Sequence, residues 1–213
     1  MEALRNQRSV IRSYNVDDFI TTSDERFNIE GHAAVYGQKV SIGGWFNEVI
    51  ERGAFDECDF SDVSLFVNHD LNRIPLARSR LNKGNSTLQL RVDERGLFIQ
   101  ADLDIENNLE AKTLHSSIQR GDIDGMSFAF YIKDEVWEDL DQDVPTRRIK
   151  KISKVYEVSA VTYPAYDQTD ISARNSNDIE LAKKVVQEAR SKQMQANKQI
   201  ELEQLRAQIL MKG

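Results

Sequence analysis

The residues best suited to chemistry are one serine, one histidine and one acid, each in an apolar setting. Ser127 stands in "RGDIDGMSFAFYI", after two glycines and at the mouth of an apolar, aromatic run. His69 ends the apolar run "SLFVNHD", and Glu157 interrupts "KVYEVSAVTY". A serine hydroxyl becomes a nucleophile when a neighbouring base takes its proton and backbone donors receive the developing oxyanion. A third residue then has to orient the imidazole and balance its charge. Gly125 leaves room for a backbone to approach Ser127. His69 at a strand end is placed where a scaffold presents side chains to a cleft. A charged Glu157 buried without a partner among Val155, Tyr156, Val158 and Ala160 would cost several kcal/mol. It therefore either faces water or pairs with an imidazole. On pattern alone the bland readings stay open: Ser127 as a hydrogen-bonded core or turn residue, His69 as a surface residue.

Other chemistries find less support. Cys58 is the single cysteine and lies in the acidic "FDECDF". That excludes an internal disulfide and a multi-cysteine zinc site, fits a reducing compartment, and disfavours a thiolate. A metal site built on His69 and Asp70 is a poor alternative, because adjacent residues of a strand point to opposite faces. His32 in "EGHAAVYG" and His115 in "KTLHSSI" read as structural residues of a strand and a helix. No cofactor or metal is expected.

Net charge is −7 over 213 residues. Residues 1–174 carry 30 acidic and 21 basic groups, and residues 175–213 carry 5 and 7. An acidic body is a poor nucleic-acid ligand, since phosphate contacts need clustered Lys and Arg. The one basic run, "RRIKK" at Arg147–Lys151, reads as a solvated strand face. No stretch approaches the apolar length of a membrane span, and "MEALRNQRSV" has no signal-peptide core. Neither nucleic acid nor a membrane is an expected partner.

The elements that must position these residues are mostly strands. "SVIRSYNV" reads as an edge strand or an arm, and "GHAAVYG" as a strand between two glycines. "STLQLRVDERGLFIQADL" alternates twice about "DERG", which predicts a β-hairpin with Gly96 supplying the turn. "NNLEAKTLHSSIQRG" predicts a helix stopped by Gly121, with Leu109 and Ile118 on helical spacing. Residues 175–212 contain no Pro, Gly or aromatic residue and hold six glutamines. Ile179, Ala182, Val186 and Ala189 form a heptad-like seam there, followed by Ala196 and Ile200, with a shifted register at Leu202, Leu205 and Ile209. These patterns predict an antiparallel β body with at least one helix, plus a long C-terminal helical tail. The expected divisions are an N-terminal arm (1–26), a body (27–174) and a tail (175–213).

The ordered series "GHAAVYG", "EVIERGAF", "LFVNHD", "ERGLFIQADL", "IQRGDIDGMSFAF" and "YEVSAVTYPAY" resembles the prohead maturation proteases of HK97-type tailed phages, over roughly Phe27–Ala173. The resemblance implies an assemblin-like α+β fold, with a mainly antiparallel, β-barrel-like core and flanking helices, and a serine endopeptidase with His69 as base, Ser127 as nucleophile and Glu157 as third member. Glu157 is the available candidate because no His follows His115. Where the family often has "PLG" and "PGAF", this chain has "PLA" (Pro75–Ala77) and "RGAF" (Arg52–Phe55). The resemblance further implies cofactor-free cleavage of a scaffold protein, or of the scaffold-like segment of the major capsid protein, and then of the enzyme itself. This would occur inside the immature capsid in the host cytoplasm, for an infecting phage or a prophage. A homodimer is the expected oligomer, the Ala165 N–H a candidate oxyanion donor, and Ala173–Asp178 the expected self-cleavage region. The competing reading is a non-catalytic capsid assembly or scaffold protein that works through its C-terminal helix.

Overall fold

A computed structural model describes residues 9–24, 26–163 and 176–212. Eleven strands and two helices are described within them. In chain order they are β1 (Ser9–Asn15), β2 (Ile20–Thr21), β3 (Ile29–Val35), β4 (Val40–Ile42), β5 (Phe46–Ile50), β6 (Asp62–Val67), β7 (Ala77–Arg80), β8 (Leu88–Val92), β9 (Gly96–Ala101), α1 (Leu109–Gln119), β10 (Gly125–Glu138), β11 (Thr146–Val161) and α2 (Ser176–Lys212).

The axis of the fold is the antiparallel pair β10–β11, with Gly125 opposite Val161 at one end and Glu138 opposite Thr146 at the other. β1 lies along the outer edge of β10, Ser9 opposite Tyr131 and Asn15 opposite Gly125. The other edge of β11 is shared by two short strands: β5 against Thr146–Ile149 and β6 against Glu157–Ala160, both parallel to it. β4 and β7 complete this seven-stranded sheet, and β2-β3-β9-β8 form a second, four-stranded one. One apolar core joins them, in which Ile29, Leu97, Leu65, Phe128 and Val158 are all buried.

The core is mainly antiparallel as expected, as seven of the nine strand pairings described are, but the barrel-like expectation is corrected. The sheets are open rather than closed into a barrel, and two pairings of β11 are parallel. Alternation in sequence reports local hairpins. Parallel neighbours are joined through long connections, which leave no local signal.

Local readings fare unevenly. The β8–β9 hairpin forms, Leu90 opposite Ile99. Gly96, however, is not the turn-former. A Cβ there would fall 1.9 Å from the Ala34 carbonyl oxygen, so glycine is needed for the close approach of β3. Asp93 holds the turn instead, its carboxylate accepting from the N–H groups of Arg95 (2.9 Å) and Gly96 (3.0 Å). α1 is N-capped by Asn108, buries Ala111, Leu114 and Ile118, and is followed by Gly121 at φ +75°. Leu109 turns out exposed. In α2, Ile179 and Ala182 pack with Ile42 and Phe46, and Arg190 donates to the carbonyls of Leu140 (2.8 Å) and Gln142 (2.5 Å). Beyond Arg190 the described side chains of α2 are exposed, so the first half of the helical seam meets the body and the second half does not.

The basic run is only partly a solvated face. Lys150 and Lys151 are exposed, but Arg147 is fully buried. Its guanidinium pairs with Glu48, also buried, lies 4.7 Å from the Phe46 ring centroid, and has Glu135 at 3.6 Å. Glu48 is also gripped by Arg12 through Nε and, at 2.9 Å, Nη2. Two cations on one buried carboxylate tie β1, β5 and β11 together. Burial is tolerable because each charge has a partner.

Two outcomes follow. Glu48→Gln leaves two guanidiniums around a neutral amide and should destabilise the protein by about 3–5 kcal/mol, read as a lower urea midpoint. Joint replacement of Arg12, Glu48 and Arg147 by apolar residues should cost less than this single change. Cys58 is pushed up to about 12, by burial first and by Asp59 in addition. Its alkylation by iodoacetamide at pH 8 should therefore be on the order of 100-fold slower in the folded protein than in urea.

Candidate active site

Three serines lie side by side across three strands: Ser13 on β1 opposite Ser127 on β10, and Ser127 opposite Ser159 on β11. Glu157, two residues before Ser159, shares its face of β11 because side chains repeat every second residue along a strand. β6 runs parallel beside this part of β11, Ser159 opposite Phe66 and Ala160 opposite Val67. The chain that leaves β6 delivers Asn68 and His69 over the same face.

That delivery depends on an uncommon backbone. Asn68 and His69 have φ of 51° and 58°, in the left-handed region. Such residues cost of order 1–3 kcal/mol each and persist where the surroundings hold them. Here the surroundings are explicit. The Asn68 N–H donates to the Ala160 carbonyl (2.9 Å). The Asn68 side chain accepts from the Thr162 N–H (3.0 Å) and donates to Thr162 Oγ1 (3.1 Å). The His69 N–H donates to Ser159 Oγ (3.1 Å). Asparagine is among the few residues that tolerate this conformation.

The result is a line of hydrogen-bonded groups. His69 Nε2 lies 2.6 Å from Ser127 Oγ, and His69 Nδ1 lies 2.6 Å from Glu157 Oε2. The second carboxylate oxygen, Oε1, accepts from Ser159 Oγ. Ser127, Ser159 and Glu157 are buried and the His69 side chain is nearly so. With Nδ1–H given to the carboxylate, Nε2 is the imidazole nitrogen free to accept a proton. The arrangement can thus take a proton from Ser127 and stabilise the imidazolium that results.

The structure brings together the three residues singled out in the sequence and separates them from the other candidates. His32 belongs to the four-stranded sheet, between Asp18 (Nδ1, 2.5 Å) and Asp93 (Nε2, 3.1 Å). His115 is half-buried on α1. Asp70 pairs with Arg73 on the surface. Among the described residues no cluster of His, Cys, Asp or Glu is placed to hold a metal ion, and no described helix is long and apolar enough to cross a membrane. Ala165 and the first half of the expected self-cleavage region, residues 173–175, lie outside the described residues. The sequence reading missed Ser159, Asn68 and Ser13. The Asn of "NHD" carried a signal, as a residue suited to positive φ just before a candidate base. A serine two residues after an acid on a strand is too common to carry one.

Comparison with known proteins bears on the family of the chain. No solved structure matches the chain. The prohead protease of Enterobacteria phage HK97 is 31% identical over 171 residues, covering 78% of this chain and 68% of that protein. The model of the caudovirus prohead serine proteases matches residues 14–184, a span that contains His69, Ser127 and Glu157. The chain belongs to the caudovirus prohead serine proteases, the serine peptidases of phage capsid maturation.

Proposed function

We propose that Ser127, His69 and Glu157 carry the peptidase chemistry. The observation behind this is the unbroken path Ser127 Oγ, His69 Nε2, His69 Nδ1, Glu157 Oε2, with both links at 2.6 Å. Ser127 Oγ attacks the scissile carbonyl carbon as its proton passes to His69 Nε2. Glu157 holds the imidazole in that tautomer and balances the imidazolium. His69 returns the proton to the leaving amine as the C–N bond breaks, leaving an ester on Ser127. Water, deprotonated by the same nitrogen, hydrolyses the ester. The Ala165 N–H is the proposed oxyanion donor. No step calls for a metal or cofactor.

Ser159 acts as a positioning residue. Its single hydroxyl meets both the Glu157 carboxylate and the His69 N–H, so it fixes the acid and the base relative to one another.

The substrates proposed are capsid-assembly polypeptides, either a scaffold protein or the scaffold-like segment of the major capsid protein, and then the enzyme itself near Ala173–Asp178. The place of action is the interior of the immature capsid in the host cytoplasm. The proposed organisation is an arm (1–26), an assemblin-like protease body (27–174) and a tail (175–213) that contacts scaffold or capsid partners, with a homodimer as the working oligomer. Neither nucleic acid nor a membrane is a proposed partner.

Ser127→Ala and His69→Ala should abolish cleavage of the co-expressed capsid or scaffold protein while circular dichroism stays unchanged. Full processing by Ser127→Ala would remove the assignment. Glu157→Gln should slow cleavage without abolishing it, and unaltered turnover would identify a Ser-His dyad. Ser159→Ala strips a partner from a buried carboxylate and should lower kcat about tenfold with KM little changed. Ser159→Thr, which keeps the hydroxyl, should recover most of the rate.

A further inference from the structure

The nucleophile is covered. Ser127 is 0% exposed in a strand whose outer edge is occupied by β1. Two contacts from β1 fall on Ser127 Oγ itself. The hydroxyl donates to the Arg12 carbonyl oxygen at 2.9 Å, and Ser13 Oγ donates to Ser127 Oγ at 3.0 Å. Both oppose catalysis. A hydroxyl has one proton, and a proton given to Arg12 is withheld from His69 Nε2. The bond from Ser13 takes one of the two lone pairs of the oxygen and lowers its nucleophilicity. With no exposed surface, Ser127 is closed to a scissile carbonyl.

β1 can also leave without opening the interior of the sheet. It is an edge strand, paired on one side only. Its departure would expose the backbone groups of Gly125–Tyr131, a row of donors and acceptors suited to an extended peptide. The buried carboxylate that holds β1, Glu48, keeps Arg147 as a partner when Arg12 withdraws. Leaving therefore strands no uncompensated charge. Val10 and Tyr14 are buried in the core and resist it, so the covered state is the resting one.

We propose that the β10 edge along Gly125–Tyr131 is the surface on which an extended polypeptide substrate docks as an added strand, and that β1 occupies it in cis and keeps Ser127 latent until displaced. This rests on the assignment of Ser127 as nucleophile. Displacement turns a buried hydroxyl into an accessible one and frees its proton for His69. A substrate strand that enters in place of β1 brings its own backbone across Ser127.

The test locks and loosens β1 in the full chain. Ser9 and Tyr131 are directly opposite and away from the triad, so Ser9→Cys with Tyr131→Cys allows a cross-strand disulfide that dithiothreitol opens. Val10→Pro removes a strand donor and weakens the same pairing. The readouts are labelling of Ser127 by a fluorophosphonate, located by peptide mass, and cleavage of the capsid or scaffold partner. The oxidised pair should label and cleave at least about tenfold more slowly than the reduced pair, because the competent fraction has been removed. Val10→Pro should label faster than the unaltered chain. If Val10→Pro fails to fold, the oxidised-to-reduced ratio decides alone. Equal labelling of Ser127 in the oxidised, reduced and Val10→Pro forms would overturn the latch while leaving the serine nucleophile standing. Absence of Ser127 labelling in every form, together with cleavage that survives Ser127→Ala, would remove the nucleophile and the latch together.

Discussion

The pairing of β10 with β11 is the constraint on which the rest of the protein depends. It places Ser127 opposite Ser159 and, through the two-residue repeat of a strand, brings Glu157 to the same face. It also offers one edge to β1 and the other to β6, so that β1 and the turn carrying His69 arrive on opposite sides of one ladder. A slip of one residue in this register would turn Glu157 and Ser159 to the core and destroy the site. The packing beneath resists such a slip. Phe128 and Phe130 stack with centroids 4.4 Å apart, and Val158 and Ala160 are buried with them.

The site is polar and almost dry, so each buried group needs a partner. Glu157 has two, His69 and Ser159, and the left-handed turn that carries His69 is held by Asn68 and Thr162. The strain of that turn is carried by hydrogen bonds to β11, which also positions the acid. Base and acid are thus referenced to the same strand, and motion of one relative to the other is suppressed. The other buried polar cluster, Arg12, Glu48 and Arg147, does related work at a different scale. It joins three strands that are far apart in the chain and decides how firmly β1 is seated.

Strongly local features were legible in the sequence. The β8–β9 alternation, the span of α1 with its glycine stop, and the long C-terminal helix rest on period and capping, which a short window contains. Two of the three candidate residues stood out for a related reason: an acid inside an apolar strand and a histidine at the end of one break the pattern around them. The roles of all three came from the resemblance to the prohead proteases. The parallel pairings of β11 were not legible, because residues 48 and 147, or 64 and 157, meet only through long connections. Gly96 was misread for the same reason. Its need for a missing Cβ comes from Ala34, a residue of another strand. Arg147 looked like a surface residue of a basic run because Glu48 and Phe46, which make its burial affordable, are remote in the chain.

By itself the sequence determined the local periods, the exclusion of disulfide chemistry through a single cysteine, and the set of residues able to do acyl-transfer chemistry. Only the tertiary structure decided that His69 reaches both Ser127 and Glu157, since that requires two non-local pairings of β11 and a left-handed turn. It alone decided that Ser159 bridges Glu157 and His69, and that Arg12 and Ser13 contact the Ser127 hydroxyl. Composition and spacing describe which groups a chain carries. The distances between groups 58, 88 or 115 residues apart are set by strand register, and register is decided by how the buried faces of the sheets fit together.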